Sequence, residues 1–588
     1  VSTTGHKGLA ERWGSALAAI VVLVVYGVIA GTADSELGSR TGAEAYYNRL
    51  IDGFGKGQLS LDLAPPAGLA QLADPYDPVA NARFHGEMYS PGRIHDLSYY
   101  HGKLYLYFSV IPAVVLFLPF HWLTGAYLSH QQACGLFCGV GFLASAALLG
   151  SIRRHCFPLA GWLAATVSTL GVGLIPLVPV VLQRPDVWEV AITASYAFWM
   201  LSLLFVWNSC QRPAPSWPTA LGLGMTVGLA IGCRPNSCLG ASLLLWPLAR
   251  ALGVGPERDR PRNHGAAAAL LVPLAGIGAA LLAYNYARFG NILEFGQRYQ
   301  LSGEKVAEGA IRHFDLGFLW FNFRLYFLEY PGWQGAFPFL KELTVSKMPP
   351  GYGFVENPVG VLTLLPFILC AAAVPWAIRD LPEGPRRALA AIVGAMLILF
   401  IAGAGPIGLY FTSAVRYQLE FIPALVLLAV IGFLALVSRG RRGGWLAVTG
   451  AAAAVSIAVN LLTVANLRGE MDARRGMMAM QAGRFDQAID FCRRALRLQP
   501  ANVFAQLGLA DSFEKEGKFT EAIVEVQRAI VLLPDSPQQR LNYAYCLYRL
   551  GRLDEAVAEC EAALKLQPDF AAAKHAEEQI RLVQRRGP

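Results

Sequence analysis

Apolar runs of 17 to 25 residues recur along the chain from residue 14 to about 465, parted by short polar segments. Each run is about long enough to cross a bilayer core as a helix. The pattern predicts spans at about 14–33, 129–150, 157–181, 188–208, 218–233, 237–252, 265–287, 359–378, 388–411, 418–437 and 444–465. Two long stretches interrupt it, 34–104 and 288–358, and both mix Tyr, Phe and Trp with charges. Past residue 469 the apolar runs give way to charged, amphipathic helices.

One run fits the pattern poorly. Residues 105–126, YLYFSVIPAVVLFLPFHWLTGA, grow without a break out of the polar DLSYYHGK. The short loops decide how to read it. SIRRH, QRPAPS, ARALGVGPERDRPR, IRDLPEGPRR and SRGRRGG hold 13 Arg, whereas the alternating turns RPDVWE, CRPN and TSAVRYQLE hold three. Arg-rich loops belong on the cytoplasmic side. That rule holds throughout if 105–126 does not cross, so it is expected to be re-entrant or to lie along the external face. Non-spanning backbone at that depth must pack on protein or line a cavity. The count is then 11 spans, with residues 1–13 cytoplasmic and the C-terminal part external.

The last segment repeats with a period of 34: GRFDQAIDFCRRALRLQP, GKFTEAIVEVQRAIVLLP and GRLDEAVAECEAALKLQP. Gly483, Gly517 and Gly551 recur at the turn, and Ala488, Ala522 and Ala556 recur where helices must approach closely. Ala495, Ala529 and Ala563 follow, then Pro500, Pro534 and Pro568. This spacing is that of the tetratricopeptide repeat, a helix–turn–helix unit that stacks into a solenoid and presents a groove to protein partners. Residues 469–586 are therefore read as three repeats, with 571–586 as a capping helix.

Composition agrees with a membrane protein. Of 588 residues, 54% are hydrophobic and only 15% charged, against roughly 25% charged in soluble chains. The net charge of +8 lies wholly before residue 469, as expected of cytoplasmic loops. No basic block or basic–aromatic stripe points to nucleic acid. The ten cysteines sit in apolar helices without zinc or disulfide spacing, and read as small buried hydrophobes.

The chemistry is expected in the two long external loops. After the first span, Tyr47, Leu50, Ile51 and Phe54 fall at helical spacing, which predicts an amphipathic helix on the external surface. Glu44 opens it and Asp52 lies on its polar side. DPYDP (Asp74, Asp77) then leads to Asp96 and YYHGKLYLYF.

These features resemble the GT-C superfamily of membrane glycosyltransferases, which includes protein O-mannosyltransferases and the aminoarabinose transferases of lipid A. YYNRLIDGFGKGQLSLD, DPYDP, DLSYYHGKLYLYF, VWEVAI, GCRPN, RFGNILEFGQRY and SAVRYQLEFIP are similar to motifs of a bacterial branch. The resemblance spans about residues 14–465. It implies an all-α polytopic membrane domain with a solenoid of repeats appended. It also implies sugar transfer from a polyprenyl-phosphate-linked donor to an acceptor hydroxyl. The hydroxyl needs a carboxylate base, and the departing lipid phosphate needs Arg or Lys. Known members open the juxtamembrane helix with an acidic pair, but here the positions read Ala43–Glu44.

Asp96 and Glu44 are the leading candidates for the base, with Asp52 in reserve. Lys103, Arg298, Arg324, Arg416 and Arg234 are candidates for donor phosphate. Tyr99, Tyr100, Tyr105, Tyr107, Trp320 and Trp333 could stack on sugar or lipid, although aromatic belts are common at membrane interfaces. Asp74, Asp77, His95, Asp96 and His101 could supply metal ligands, but DPYDP reads more simply as a turn. Metal dependence is thus left open.

An O-antigen ligase or polymerase type would place its key loop late in the chain. A non-catalytic scaffold would not need two charged aromatic loops. The Arg- and Ala-rich composition fits a bacterial inner membrane, with site and repeats in the periplasm.

Overall fold

The computed structural model describes residues 2–33, 44–85, 94–212, 216–254, 262–301, 313–335, 337–341, 343, 345, 347–439 and 442–586. Ala43 lies outside them. The chain divides into two compact units, Val1–Pro331 with Glu342–Leu461, and Gly332–Lys341 with Leu462–Pro588.

The first unit is helical. Among the described residues of the whole chain, six helices are long and apolar enough to cross a membrane: Trp13–Thr32, His130–Cys156, Val187–Cys210, His264–Phe289, Glu383–Leu409 and Gly444–Gln481. The other predicted spans are shorter or broken. Residues 157–181 become Trp162–Leu174 and Val178–Gln183. The run 237–252 is a 3₁₀ stretch, Pro235–Leu244, continued by Leu245–Leu252. The run 359–378 is broken into Val361–Leu364, Pro366–Ala373 and Val374–Arg379. Pro235 and Pro366 sit at these breaks, where a missing N–H and a ring clash end regular helix. Trp217–Cys233 and Ile422–Ser438 complete the set.

Helices of this unit turn large apolar side chains outward, among them Leu17, Val24, Val28, Val272 and Ile401. That suits lipid as the solvent, because tails are as apolar as Leu and helix association depends on close packing. Gly432 shows the packing. A Cβ there would lie 1.8 Å from the Cys370 carbonyl oxygen, so only glycine lets Ile422–Ser438 meet Pro366–Ala373.

Two short aromatic helices do not fit the spanning pattern. Ala113–Thr124 opens with a π turn and Leu316–Leu328 closes with one. At about 1.5 Å per residue each is near 20 Å long, short of a core of roughly 30 Å. The first lies inside the run expected not to cross. The second falls in the loop 288–358, where no helix was expected. Its buried Asn322 holds it down, donating to the Tyr410 carbonyl (2.8 Å) and accepting from the Tyr352 hydroxyl (2.6 Å).

A little β structure is added to the helices. Leu97–Tyr100 and Lys103–Leu106 form a hairpin, and Gln300–Leu301 pairs on its other edge. Val355–Glu356 runs parallel to Ser413–Ala414. The expected amphipathic helix is Tyr46–Gly55, with Tyr47, Leu50 and Ile51 buried. Tyr47 stacks on Phe117 at 4.9 Å, and Asn48 donates to the Leu128 carbonyl at 2.7 Å.

The second unit holds the repeats: Phe485–Leu498, Val503–Lys515, Phe519–Leu532, Pro537–Arg549, Leu553–Leu566 and Ala571–Arg586. The six repeat alanines, from Ala488 to Ala563, are all fully buried. Gly483, Gly517 and Gly551 have φ of 70–75°, a left-handed turn that costs glycine nothing.

Candidate active site

Several non-local elements converge at one cluster of charged residues. Helix Val187–Cys210 starts it. Its first turn carries Trp188 and Glu189, and Glu189 Oε2 accepts from the Asp186 backbone N–H at 3.0 Å. Arg184 precedes this turn.

Asp96 is held against it. The Trp188 indole N–H donates to Asp96 Oδ2 (2.8 Å) and the Gln300 amide donates to Oδ1 (2.8 Å). His95 Nε2 lies 3.5 Å from Oδ2. The Asp96 N–H donates to the Leu301 carbonyl at 2.9 Å, and its φ is 57°, a conformation aspartate tolerates better than most residues. The carboxylate is thus fixed at the open end of the hairpin. Gln300 reaches it because Gly296 turns the chain at φ 94°. A Cβ at Gly296 would fall 2.4 Å from Ser98 Oγ, and Ser98 Oγ donates to the Gly296 carbonyl at 2.8 Å.

Arg416 stands on the other side of Trp188, its guanidinium 5.6 Å from the ring centroid and 5.2 Å from that of Tyr417. Arg416 Nη1 donates to Glu356 Oε2 at 2.5 Å, and its Nε is 4.0 Å from Glu189 Oε1. Arg184 Nη1 pairs with the other Glu356 oxygen, and Nη2 lies 3.6 Å from Glu189 Oε1. One carboxylate therefore bridges two arginines. Burial would raise the Glu356 pKa, but Arg184 and then Arg416 override it and hold the group at about 2. Burial would lower the Arg416 pKa, and Glu356 reverses this to leave it above its ordinary value.

A second pair lies nearby in the same unit. Arg234, at the end of Trp217–Cys233, donates to Glu420 Oε1 through Nε (2.9 Å) and Nη2 (2.5 Å), while the Asn236 amide donates to Oε2 (2.6 Å). The Glu420 side chain is 5% exposed. Tyr107 follows the hairpin beside these charges. Burial and then the Asp96 charge push its phenol up to about 12.

The remaining candidates stand elsewhere. Lys103 is exposed beside the hairpin turn, paired in register with Tyr100 at the end away from Asp96. Glu44 is exposed, ahead of the helix Tyr46–Gly55. Asp52 accepts from the Tyr127 hydroxyl at 2.6 Å. Arg298 is exposed, 3.7 Å from Glu294, and Arg324 pairs with Glu329 at 3.1 Å. Tyr99 and Tyr105 are buried, and Tyr100 packs on Tyr299 at 4.4 Å. Trp320 is largely exposed and stacks on Phe323 at 5.7 Å; Trp333 bridges to Leu340. Asp74 and Asp77 accept backbone N–H groups two residues ahead, Tyr76 and Val79, as turn residues do. Among the described residues, no group of three His, Cys, Asp or Glu could hold a metal.

Arg184, Trp188, Glu189, Gln300, Glu356 and Glu420 were not singled out as site residues in the sequence. The available signal was RPDVWE, which places an arginine and two acids against an apolar run.

A tetratricopeptide-repeat family model matches residues 451–503, 473–540 and 507–569. The OM64 tetratricopeptide domain of Arabidopsis is similar at 24% identity, covering 20% of this chain and 98% of that one, with a TM-score of 0.20. Two of the solved structures that match cover most of the chain at low identity. ArnT from Cupriavidus metallidurans, bound to undecaprenyl phosphate, is 15% identical over 89% of this chain and 80% of its own, with a TM-score of 0.38. The apo oligosaccharyltransferase of Archaeoglobus fulgidus is 14% identical over 76% of this chain and 56% of its own, with a TM-score of 0.39. No curated protein matches the chain by sequence.

Proposed function

We propose that the chain is a membrane glycosyltransferase that moves a sugar from a polyprenyl-phosphate-linked donor to an acceptor hydroxyl on the external, periplasmic side. The repeats would engage the acceptor or a partner protein. The observation that carries this reading is Trp188, with the Asp96 carboxylate on its N–H edge and the Arg416 guanidinium over its ring. A carboxylate suited to act as a general base and a guanidinium suited to phosphate thus share one indole, which supports the reading beside motifs that resemble those of GT-C enzymes.

The chemistry assigns each group a task. Asp96 takes the proton of the acceptor hydroxyl as its oxygen bonds to the anomeric carbon. The bond from that carbon to the phosphate oxygen breaks, and its electron pair leaves with the polyprenyl phosphate. Arg416 takes up the added charge, which a guanidinium fork suits well. Trp188 and Gln300 keep the carboxylate oriented, so little reorganisation is needed at the moment of reaction. Ala113–Thr124, with Val114, Trp122 and Leu123 exposed, would wall a groove for the prenyl tail.

Sidedness is supported by charge. Arg439 pairs with Asp380 in the Arg-rich loops, whereas the cluster arises from the Arg-poor turns.

The test is an in vitro transfer assay with purified full-length protein, radiolabelled polyprenyl-phosphate sugars and membrane extract as acceptor source. Transfer by wild type and its loss in Asp96→Asn would support the reading. No turnover with any donor would contradict it.

A further inference from the structure

Glu356 occupies the place where the phosphate reading needs an anion to sit. Its two oxygens bridge Arg184 and Arg416, in the geometry a phosphate monoester would use between two guanidinium forks. Both arginine side chains are only 10% exposed, so the cradle is built into the protein rather than displayed at its surface. One donor is still unused, because Arg416 Nε is buried without a hydrogen-bond partner. A carboxylate has two oxygens for this cradle, and the phosphate monoester that leaves in the reaction has three.

We infer that Glu356 is an internal plug of the donor-phosphate cradle, displaced when a polyprenyl phosphate binds to Arg184 and Arg416. This rests on the glycosyltransferase reading above and adds to it Arg184, together with a competition at the site.

Charge and tethering identify the group that leaves. Arg184 and Arg416 face Glu356 and Glu189, two cations against two anions. Adding a phosphate with both glutamates in place would leave uncompensated negative charge in a buried site, which is costly. Glu189 is 1% exposed, and its second oxygen is held by the Asp186 N–H. Glu356 is 25% exposed and comes from a two-residue strand in the second long loop. Moving its side chain aside costs the least. The two guanidiniums then keep an anion between them throughout, with the plug before binding and the phosphate after it. The sugar donor's phosphodiester carries one negative charge, so its exchange for Glu356 keeps two cations against two anions, and the charge that the departing phosphate gains falls on the two guanidinium forks.

The test is calorimetric titration of the purified full-length protein with farnesyl phosphate, and with farnesol as the uncharged control. Glu356→Gln removes the competing charge and is expected to bind farnesyl phosphate about tenfold more tightly than wild type, with farnesol unchanged. Glu356→Asp keeps the charge but cannot reach both arginines, and is expected to show a smaller gain; it also serves if the glutamine variant does not fold. Binding by wild type with no gain in either variant would overturn the plug and leave the donor reading intact. No binding of farnesyl phosphate by wild type or variants would overturn the donor reading, and the plug with it.

Discussion

Two arginine–glutamate contacts in the membrane unit use the same groups and differ in what they leave over. At Arg234 and Glu420 the accounts close. One guanidinium holds one carboxylate oxygen, Asn236 holds the other, and the glutamate is nearly inaccessible. At Arg184, Arg416 and Glu356 a single carboxylate is divided between two guanidiniums, one donor makes no hydrogen bond, and the carboxylate is partly exposed. The first arrangement is a staple between the end of Trp217–Cys233 and the turn before Ile422–Ser438. The second has room for another anion. Arg416 and Arg234 both fall in Arg-poor turns and both stood among the phosphate candidates. Their partners separate them.

The comparison breaks most clearly at the staple. Arg234→Met leaves Glu420 as a buried charge with one amide partner, and is expected to cost about 3–5 kcal/mol. Arg234→Met combined with Glu420→Leu should recover most of that loss. Unfolding in detergent, followed by intrinsic fluorescence, checks both.

Acidification should act on the other contact. The folded pKa of Glu356 is depressed, from 4.5 to about 2. Its stabilisation is therefore complete above about pH 4.5, and is lost as pH falls toward 2. The upper limit of that contribution is about 3 kcal/mol. Melting curves of wild type and Glu356→Gln should differ at pH 6 and converge near pH 2. A constant gap would contradict the bridge.

Arg416→Lys keeps the charge and loses the fork, so transfer is expected to fall about 100-fold while thermal stability changes little. The same exchange at a purely structural arginine would move stability rather than rate. The smallest effect is expected at Asp52, whose bond to Tyr127 fixes the juxtamembrane helix. Tyr127→Phe should cost about 1 kcal/mol without altering the pH–rate profile.

The repeats and the juxtamembrane helix were legible because their information is local. A period of 34 and a spacing of Tyr47, Leu50 and Ile51 can be read within one turn or one unit, and burial follows directly. The cluster is assembled from afar. Asp96 meets Trp188 and Gln300 across 92 and 204 residues, and nothing periodic marks those partners. Lys103 lies seven residues from Asp96 in sequence, but strand pairing carries it to the opposite end of the hairpin. Leu316–Leu328 was read as loop because Arg324 and a short length hide an apolar helix. Glu356 sits in an aromatic loop, and its role depends wholly on the two arginines it meets.

The most direct test of the central claim separates binding from chemistry at Asp96. Single-turnover release of radiolabelled sugar from its polyprenyl-phosphate donor would be compared between wild type and Asp96→Asn, with donor affinity measured in parallel. The expected result is unchanged affinity with a rate about 10²–10⁴-fold lower. An undiminished rate in Asp96→Asn would contradict the assignment of Asp96 as the base.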